Sequence, residues 1–280
     1  MKILSMTQEM RQKVRWGSGV LLVLILGLFV YAKVFTPISE DRAQALLEKE
    51  FVPALLNGIA PVGYPIEAGT SVALLEIEDI NVRRVVIEGT HAEDLAKGPG
   101  HLVGSAMPGQ PGTSAILGRS SRYGSAFARL DELKAGQEIT VTTAQGEHTY
   151  EVVDSTVRSA NDSAAFTGER NMLLLITGVG GASPDERLVV RALLTSPVFP
   201  AGTAATDIQT TTAELGLEGS TESPMQLAMW LFLLLILLIS QIALSKKIGK
   251  RVTWLIAIPL LAVALFQVWH NATLMYPSIG

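Results

Sequence analysis

The sequence predicts a mainly β fold: a closed β-barrel outside a membrane, carried on three transmembrane α-helices, one N-terminal and two forming a C-terminal hairpin. Three observations predict it. Short β-type runs alternate with glycine-rich turns between residues 71 and 196. Three long blocks are apolar and uncharged. Basic residues gather beside those blocks at two places only.

The apolar blocks come first because they set the geometry. "WGSGVLLVLILGLFVYA" (16–32), "MQLAMWLFLLLILLISQIALS" (225–245) and "WLIAIPLLAVALFQVW" (254–269) carry no charge. A helix needs about 20 apolar residues to cross the hydrocarbon core, with a range of roughly 17–25. The second block meets this directly. The first meets it with Val34 and Phe35, since the Lys33 ammonium can snorkel to the interface. The third meets it with Val252 and Thr253, and its Pro259 is tolerable inside a membrane helix. Lys2, Arg11, Lys13 and Arg15 precede the first helix, and Lys246, Lys247, Lys250 and Arg251 fill the turn between the other two. Positive residues stay cytoplasmic. The N-terminus is therefore expected inside, and the stretch between the first two helices outside. The first block is read as a retained anchor, because "YAKVFTP" is a poor signal-peptide cleavage site.

The expected organisation follows. Residues 1–36 are a cytoplasmic tail and first membrane helix, and 37–70 a juxtamembrane helix and loop. Residues 71–196 are the barrel and 197–224 a flexible linker rich in Thr, Ala, Gly and Ser. Residues 225–245 and 252–272 are the helical hairpin, and 273–280 an outer tail. Within 37–70, "SEDRAQALLEKEF" reads as a short amphipathic helix with Ser39 as N-cap, followed by a loop from Pro53 to Gly69. The β-type runs are "SVALLEIEDI", "VRRVVIEG", "TSAILGR", "EITVTTAQGEHTYEVVDSTVR", "MLLLITG" and "RLVVRALL". The fourth alternates at period two around "AQGE", a hairpin signature. "AFARLDELKAGQ" is the one helical or turn-like insert.

Composition excludes several chemistries. The 280 residues contain no cysteine, so there are no disulfides, thiolate metal sites or thiol nucleophile. The four histidines (His91, His101, His148, His270) show no metal-ligand spacing, and no cofactor is implied. Net charge is −4 without a basic stripe outside the membrane, which argues against nucleic acid.

The outer region resembles the sortases, specifically the class E type of actinobacteria. "LEIEDINVRRVVIEGT", "DLAKGPGHLVGSAMPGQPGTSAILG", "RYGSAFARLDELKAGQEI", "LLLIT" and "RLVVRALL" follow that family's order from about Ser71 to Leu194. The resemblance implies an eight-stranded barrel and a cysteine transpeptidase. A cysteine ends one strand as Thr-Cys and attacks a peptide carbonyl, a histidine moves the proton, and an arginine binds substrate and the developing oxyanion. Here the Thr-Cys position reads Thr177-Gly178, and the histidine position is Arg119. The arginine is present as Arg187. Removing a nucleophile costs about 10⁶ in turnover in one studied serine protease. The expectation is therefore a pseudoenzyme with no catalytic residues, in which Arg119, Thr177, Gly178 and Arg187 are ligand-binding candidates.

Bland readings compete. Arg187 is alternatively an inherited strand residue paired to Asp185 or Glu186, and otherwise it joins Arg119 in an anion-binding site. "TGVGGAS" lacks the Lys-Ser/Thr of a phosphate-binding loop. His101 is expected packed or solvent-facing rather than paired with Ser120, Ser121 or Ser183. Asn271-Ala272-Thr273 is a chance glycosylation match, and Gln241 and Gln267 are candidates for hydrogen bonds within or beyond the hairpin. The functional expectation is a binding or assembly subunit of a membrane or cell-envelope complex. Its partners would be the lipid bilayer, membrane or envelope proteins, and an extended peptide in the cleft. The alternative is a diverged hydrolase or transpeptidase with a non-cysteine nucleophile. An open groove favours peptide binding and a filled one a structural subunit. A serine hydroxyl within reach of His101 favours the enzyme.

Overall fold

A computed structural model describes residues 8–159, 162–166, 168, 171–180, 184–202, 215–216 and 218–279. Eight strands close a barrel in the order β1-β2-β3-β4-β7-β8-β6-β5, with β1 pairing β5 to complete the ring. They are β1 (Ser71–Ile77), β2 (Val82–Glu88), β3 (Gly100–His101), β4 (Thr113–Leu117), β5 (Glu138–Thr143), β6 (Gly146–Ser159), β7 (Met172–Val179) and β8 (Glu186–Leu194). The barrel expected from the sequence is thus present. The two-residue β3 is too short to carry a periodic pattern. The "AFARLDELKAGQ" insert forms only the short 3-10 turn Leu130–Glu132, after another at Tyr123–Ser125.

β7 shows why its sequence runs apolar without alternation. Leu173 and Leu175 enter the barrel core with Ile116 and Val190. Leu174 and Ile176 face an outer cluster with Leu95, Leu102 and Leu117. Both faces are covered, as for a strand buried on two sides. Each fully buried leucine contributes about 1.5–3 kcal/mol. β6 is the opposite case: its exposure alternates, and its second half keeps Val153 and Val157 exposed.

The N-terminal region differs from expectation. Helix α1 (Gln8–Val30) passes through a π-helical stretch (Tyr31–Phe35) directly into α2 (Thr36–Leu56). Ser39 therefore caps nothing, and Pro53 lies inside α2 rather than opening a loop. The helix continues because α2 has tertiary partners. Gln44 accepts from Val85 N (2.7 Å) and donates to Val85 O (3.0 Å) and Lys97 O (2.9 Å), and Phe51 is buried against Val85 and Leu74. Tertiary packing overrides the local cap signal.

Helices α3 (Ser223–Ile248) and α4 (Lys250–Leu274) form the C-terminal hairpin around Gly249 (φ +94°). Two stretches within them, Ser223–Lys246 and Val252–Leu274, are long and apolar enough to cross a membrane. Their outward side chains, such as Phe232, Leu235 and Leu255, are exposed in the protein alone. Gln241 lines a small cavity with Thr253 and Leu260, while the Gln267 carbonyl accepts from Asn271 Nδ2 (2.9 Å). Asn271 is 1% exposed, which removes it as a glycosylation acceptor. Part of the stretch read as a linker, 203–214 and 217, lies outside the described residues, as does Ser183.

Candidate functional site: a cleft at the paired ends of two parallel strands

β4 and β7 run parallel, with Leu117 opposite Ile176. Their C-terminal ends therefore open at the same place. Gly118 N donates to Ile176 O (3.0 Å), and Thr177 Oγ1 donates to Gly118 O (2.8 Å). The Thr177 hydroxyl proton is thus committed, and the residue is buried. β7 and β8 are antiparallel, and Gly178 stands opposite Arg187. The structure accordingly brings together Thr177, Gly178 and the backbone of Arg187.

Arg187 is fully buried, and its guanidinium stacks on Phe166 with 4.8 Å to the ring centroid. None of its three nitrogens has a hydrogen-bond partner among the described residues. The expected alternative, a pair with Asp185 or Glu186, is not made among them. Burial lowers its pKa from 12.5 to about 10, against an attraction from Asp162 that raises it.

Arg119 does not join it. Its Nε donates to Leu95 O (3.1 Å), its Nη2 donates to Ala92 O (2.9 Å), and it stacks on Tyr123 at 4.9 Å. Burial lowers its pKa to about 9, and the like charge acting on it is Arg122. Arg119 thus ties the 92–95 turn to the end of β4, and the two-arginine anion site is not formed.

The room expected at Gly178 is also taken. A Cβ there would lie 2.5 Å from Pro184 Cγ and 3.0 Å from Ile279 O. Ile279 belongs to the segment after α4, and it is completely buried. Its carbonyl accepts from Gly178 N (3.2 Å), Ser120 N (3.3 Å) and Ser120 Oγ (3.4 Å). Its side chain packs with Leu95, Leu117, Ile176 and Val189. The cleft is filled at this point, by residues the sequence did not single out. Ser120 and Ile279 are 159 positions apart, so no local signal joins them.

A second constellation lies toward the other end of β4. Ser105 Oγ is 2.9 Å from His101 Nε2, and His101 Nδ1 is 2.8 Å from Glu88 Oε2. Tyr64 donates to Glu88 Oε1 (2.8 Å) and accepts from Gly104 N (2.9 Å). His101 and Glu88 are buried. Serine, histidine and carboxylate in this order match the geometry of a hydroxyl nucleophile with its base. Two contacts compete. His101 Nε2 also reaches Ala106 O (3.0 Å), and Ser105 Oγ accepts from Ala115 N (3.2 Å). A proton on Nε2 goes to the Ala106 carbonyl, and in that state the ring cannot take one from Ser105. The four-residue step from His101 to Ser105 is visible in the sequence, whereas Glu88 arrives only through the pairing of β2 with β3.

Residues 75–195 match the family model for the sortase domain. Sortase D of Bacillus subtilis (strain 168) is 34% identical over 113 residues, covering 40% of this chain and 56% of that protein. The match thus spans little more than half the length of that relative. Among solved structures, a Clostridium perfringens Sortase D5 transpeptidase is 25% identical, with 56% of this chain and 99% of that one covered at a TM-score of 0.47. Sortase E from Streptomyces avermitilis is 28% identical, with 47% and 91% covered at a TM-score of 0.42. The family match corrects the expectation of a pseudoenzyme. Sortases are cysteine transpeptidases, and the missing cysteine removes one nucleophile without excluding the family's enzyme role.

Proposed function

We propose, from the match of residues 75–195 to the sortase domain, that the barrel binds an extended peptide segment in the cleft at Thr177–Gly178 and Arg187, as the binding component of a membrane or cell-envelope complex. The carrying observation is the Arg187 guanidinium, fully buried with no polar partner among the described residues. An uncompensated buried charge costs several kcal/mol. A peptide carbonyl or carboxylate that reaches the guanidinium itself offsets that cost, a contact that the Ile279 carbonyl on Gly178 N does not make. A hydrogen bond to a charged group contributes about 1.5–3 kcal/mol, or about ten- to a hundred-fold in affinity. Fluorescence anisotropy of labelled extended peptides, sorting-signal peptides among them, on the full chain in detergent tests this. Arg187→Ala should weaken binding by that factor while the barrel stays folded. Unchanged affinity refutes the role of Arg187.

The anchor we propose has three membrane helices with the barrel outside. Support comes from the packing of α1 on α4. Tyr31 meets Phe266 edge-on at 5.1 Å, its hydroxyl lies 2.9 Å from His270 Nδ1, and Gly27 leaves space that Trp269 occupies. Because the chain is cysteine-free, single cysteines report orientation directly. Ser159→Cys should label from outside intact cells with an impermeant thiol reagent, and Lys246→Cys should not. The reverse pattern inverts the topology.

One observation favours a second reading, transfer or hydrolysis through Ser105, because Ser105, His101 and Glu88 are aligned. The hydrogen-bond donors that cradle a carbonyl stand at the far end of β4, at Ser120 and Gly178. On this reading the unmodified protein turns over sorting-signal peptides and Ser105→Ala does not. Equal turnover by the two proteins removes Ser105 from the chemistry.

A further inference from the structure

The peptide seated in the cleft belongs to this chain. After α4, residues 275–279 leave the membrane hairpin and cross to the barrel. Their path is fixed at successive points. Tyr276 lies under the Arg122 guanidinium at 4.9 Å, and Arg122 Nη1 donates to Thr273 O (3.3 Å). Ser278 Oγ donates to Thr90 O (3.3 Å). Ile279 enters the outer apolar cluster, and its carbonyl oxygen meets three donors from Gly178 and Ser120. Ser278 and Ile279 are completely buried, although Met275 and Tyr276, just before them, are exposed. A buried side chain, flanking polar contacts and a carbonyl on convergent amides make up ligand-type recognition.

We infer that residues 276–279 are a built-in ligand of the cleft, so that a peptide from another molecule binds only by displacing them, and that the site selects peptides presenting a β-branched apolar side chain with its carbonyl over Ser120 and Gly178. The inference rests on the peptide-binding reading above. The chemistry of the ligand class is read from the occupant: an apolar pocket bounded by Leu95, Leu117, Ile176 and Val189 accepts Ile279. Gly216, whose added Cβ would lie 2.5 Å from Ile279 Cγ2, closes the pocket from the segment before α3. The carbonyl donors add direction without reading a side chain. A tethered ligand acts at an effective concentration in the mM range for a short linker. It therefore masks the site against free peptides of the same intrinsic affinity.

The test uses the full chain in detergent, where engineered cysteines are the only ones present. Thr90→Cys with Ser278→Cys places one thiol on each of two residues that now meet through Ser278 Oγ and the Thr90 backbone carbonyl at 3.3 Å, and keeps Ile279 and its donors. Mild oxidation should form an intramolecular disulfide in most of the monomer. The oxidised protein should bind a labelled peptide of sequence LMYPSIG about tenfold or more weakly than the reduced protein. A separate Ile279→Asp variant should bind that peptide about tenfold or more tightly than the unmodified chain. If the disulfide does not form while the peptide binds the unmodified chain well, the segment is not the occupant and the cleft reading survives. If the disulfide forms and Ile279→Asp still fails to bind peptide, the segment is a fixed plug. The inference then falls together with the reading beneath it.

Discussion

Replacing Arg187 by methionine removes a fully buried guanidinium and leaves an apolar chain of similar length. The charge gains no hydrogen bond among the described residues, so folding meets its desolvation cost largely uncompensated. Burial lowers the pKa from 12.5 to about 10, which at 1.36 kcal/mol per unit sets a scale of about 3 kcal/mol. The stack on Phe166 opposes this and contributes about 1–2 kcal/mol when desolvated. The net expectation is a gain of about 1–2 kcal/mol, in line with buried charges replaced by hydrophobes. For a domain of this size that raises the melting temperature by about 2–8 °C. All four tryptophans lie in the sequence of the long helices, so circular dichroism in the β region follows barrel unfolding better than tryptophan emission. The same variant should lose peptide affinity, separating stability from binding. A loss of stability of more than about 1 kcal/mol would refute the reasoning, because the guanidinium would then have a compensating partner in the free protein.

Two further outcomes follow from named contacts. Gly178→Ala places a Cβ 2.5 Å from Pro184 Cγ and 3.0 Å from Ile279 O; overpacking of this kind costs about 1–3 kcal/mol, and urea unfolding of the full chain should show it. Glu40 is buried beside Arg84 and Asp41, and burial raises its pKa to about 7 against the attraction of Arg84. A carboxyl whose folded pKa exceeds its unfolded value of 4.5 adds stability below pH 4.5 and loses it as pH rises through about 7. Glu40→Gln should therefore match the unmodified chain near pH 4 and exceed it at pH 8, by at most about 3 kcal/mol. Thermal melts that respond equally at both pH values would remove Glu40 from the account.

The barrel was legible because its strands carry their own signals. β5 and β6 alternate around Ala144 and Gln145, and β7 is apolar on both faces because both faces are covered. Arg187 and Gly178 were legible because the family resemblance marks both positions, and strand register sets them opposite each other. Arg119 was misplaced because position along a strand does not say which carbonyls a long side chain will reach, and the 92–95 turn claims it. The continuous helix through residue 56 was hidden by a plausible cap at Ser39 and by Pro53. Both local signals yield to Gln44 and Phe51, whose barrel partners Val85 and Leu74 lie 23 or more positions away. The Ile279 contact was invisible for the same reason at greater distance. Likewise, the missing cysteine led to an expected pseudoenzyme, which the sortase-domain match overturns.

Amide hydrogen exchange at Ser120 and Gly178 tests the peptide-binding cleft most directly, because both amides now point at one peptide carbonyl. In the Ile279→Asp variant they should exchange at least about tenfold faster than in the unmodified chain, and added LMYPSIG peptide should restore their protection in a saturable way. Amides that exchange freely in the variant and stay unprotected at saturating peptide would contradict a cleft built to hold an extended peptide.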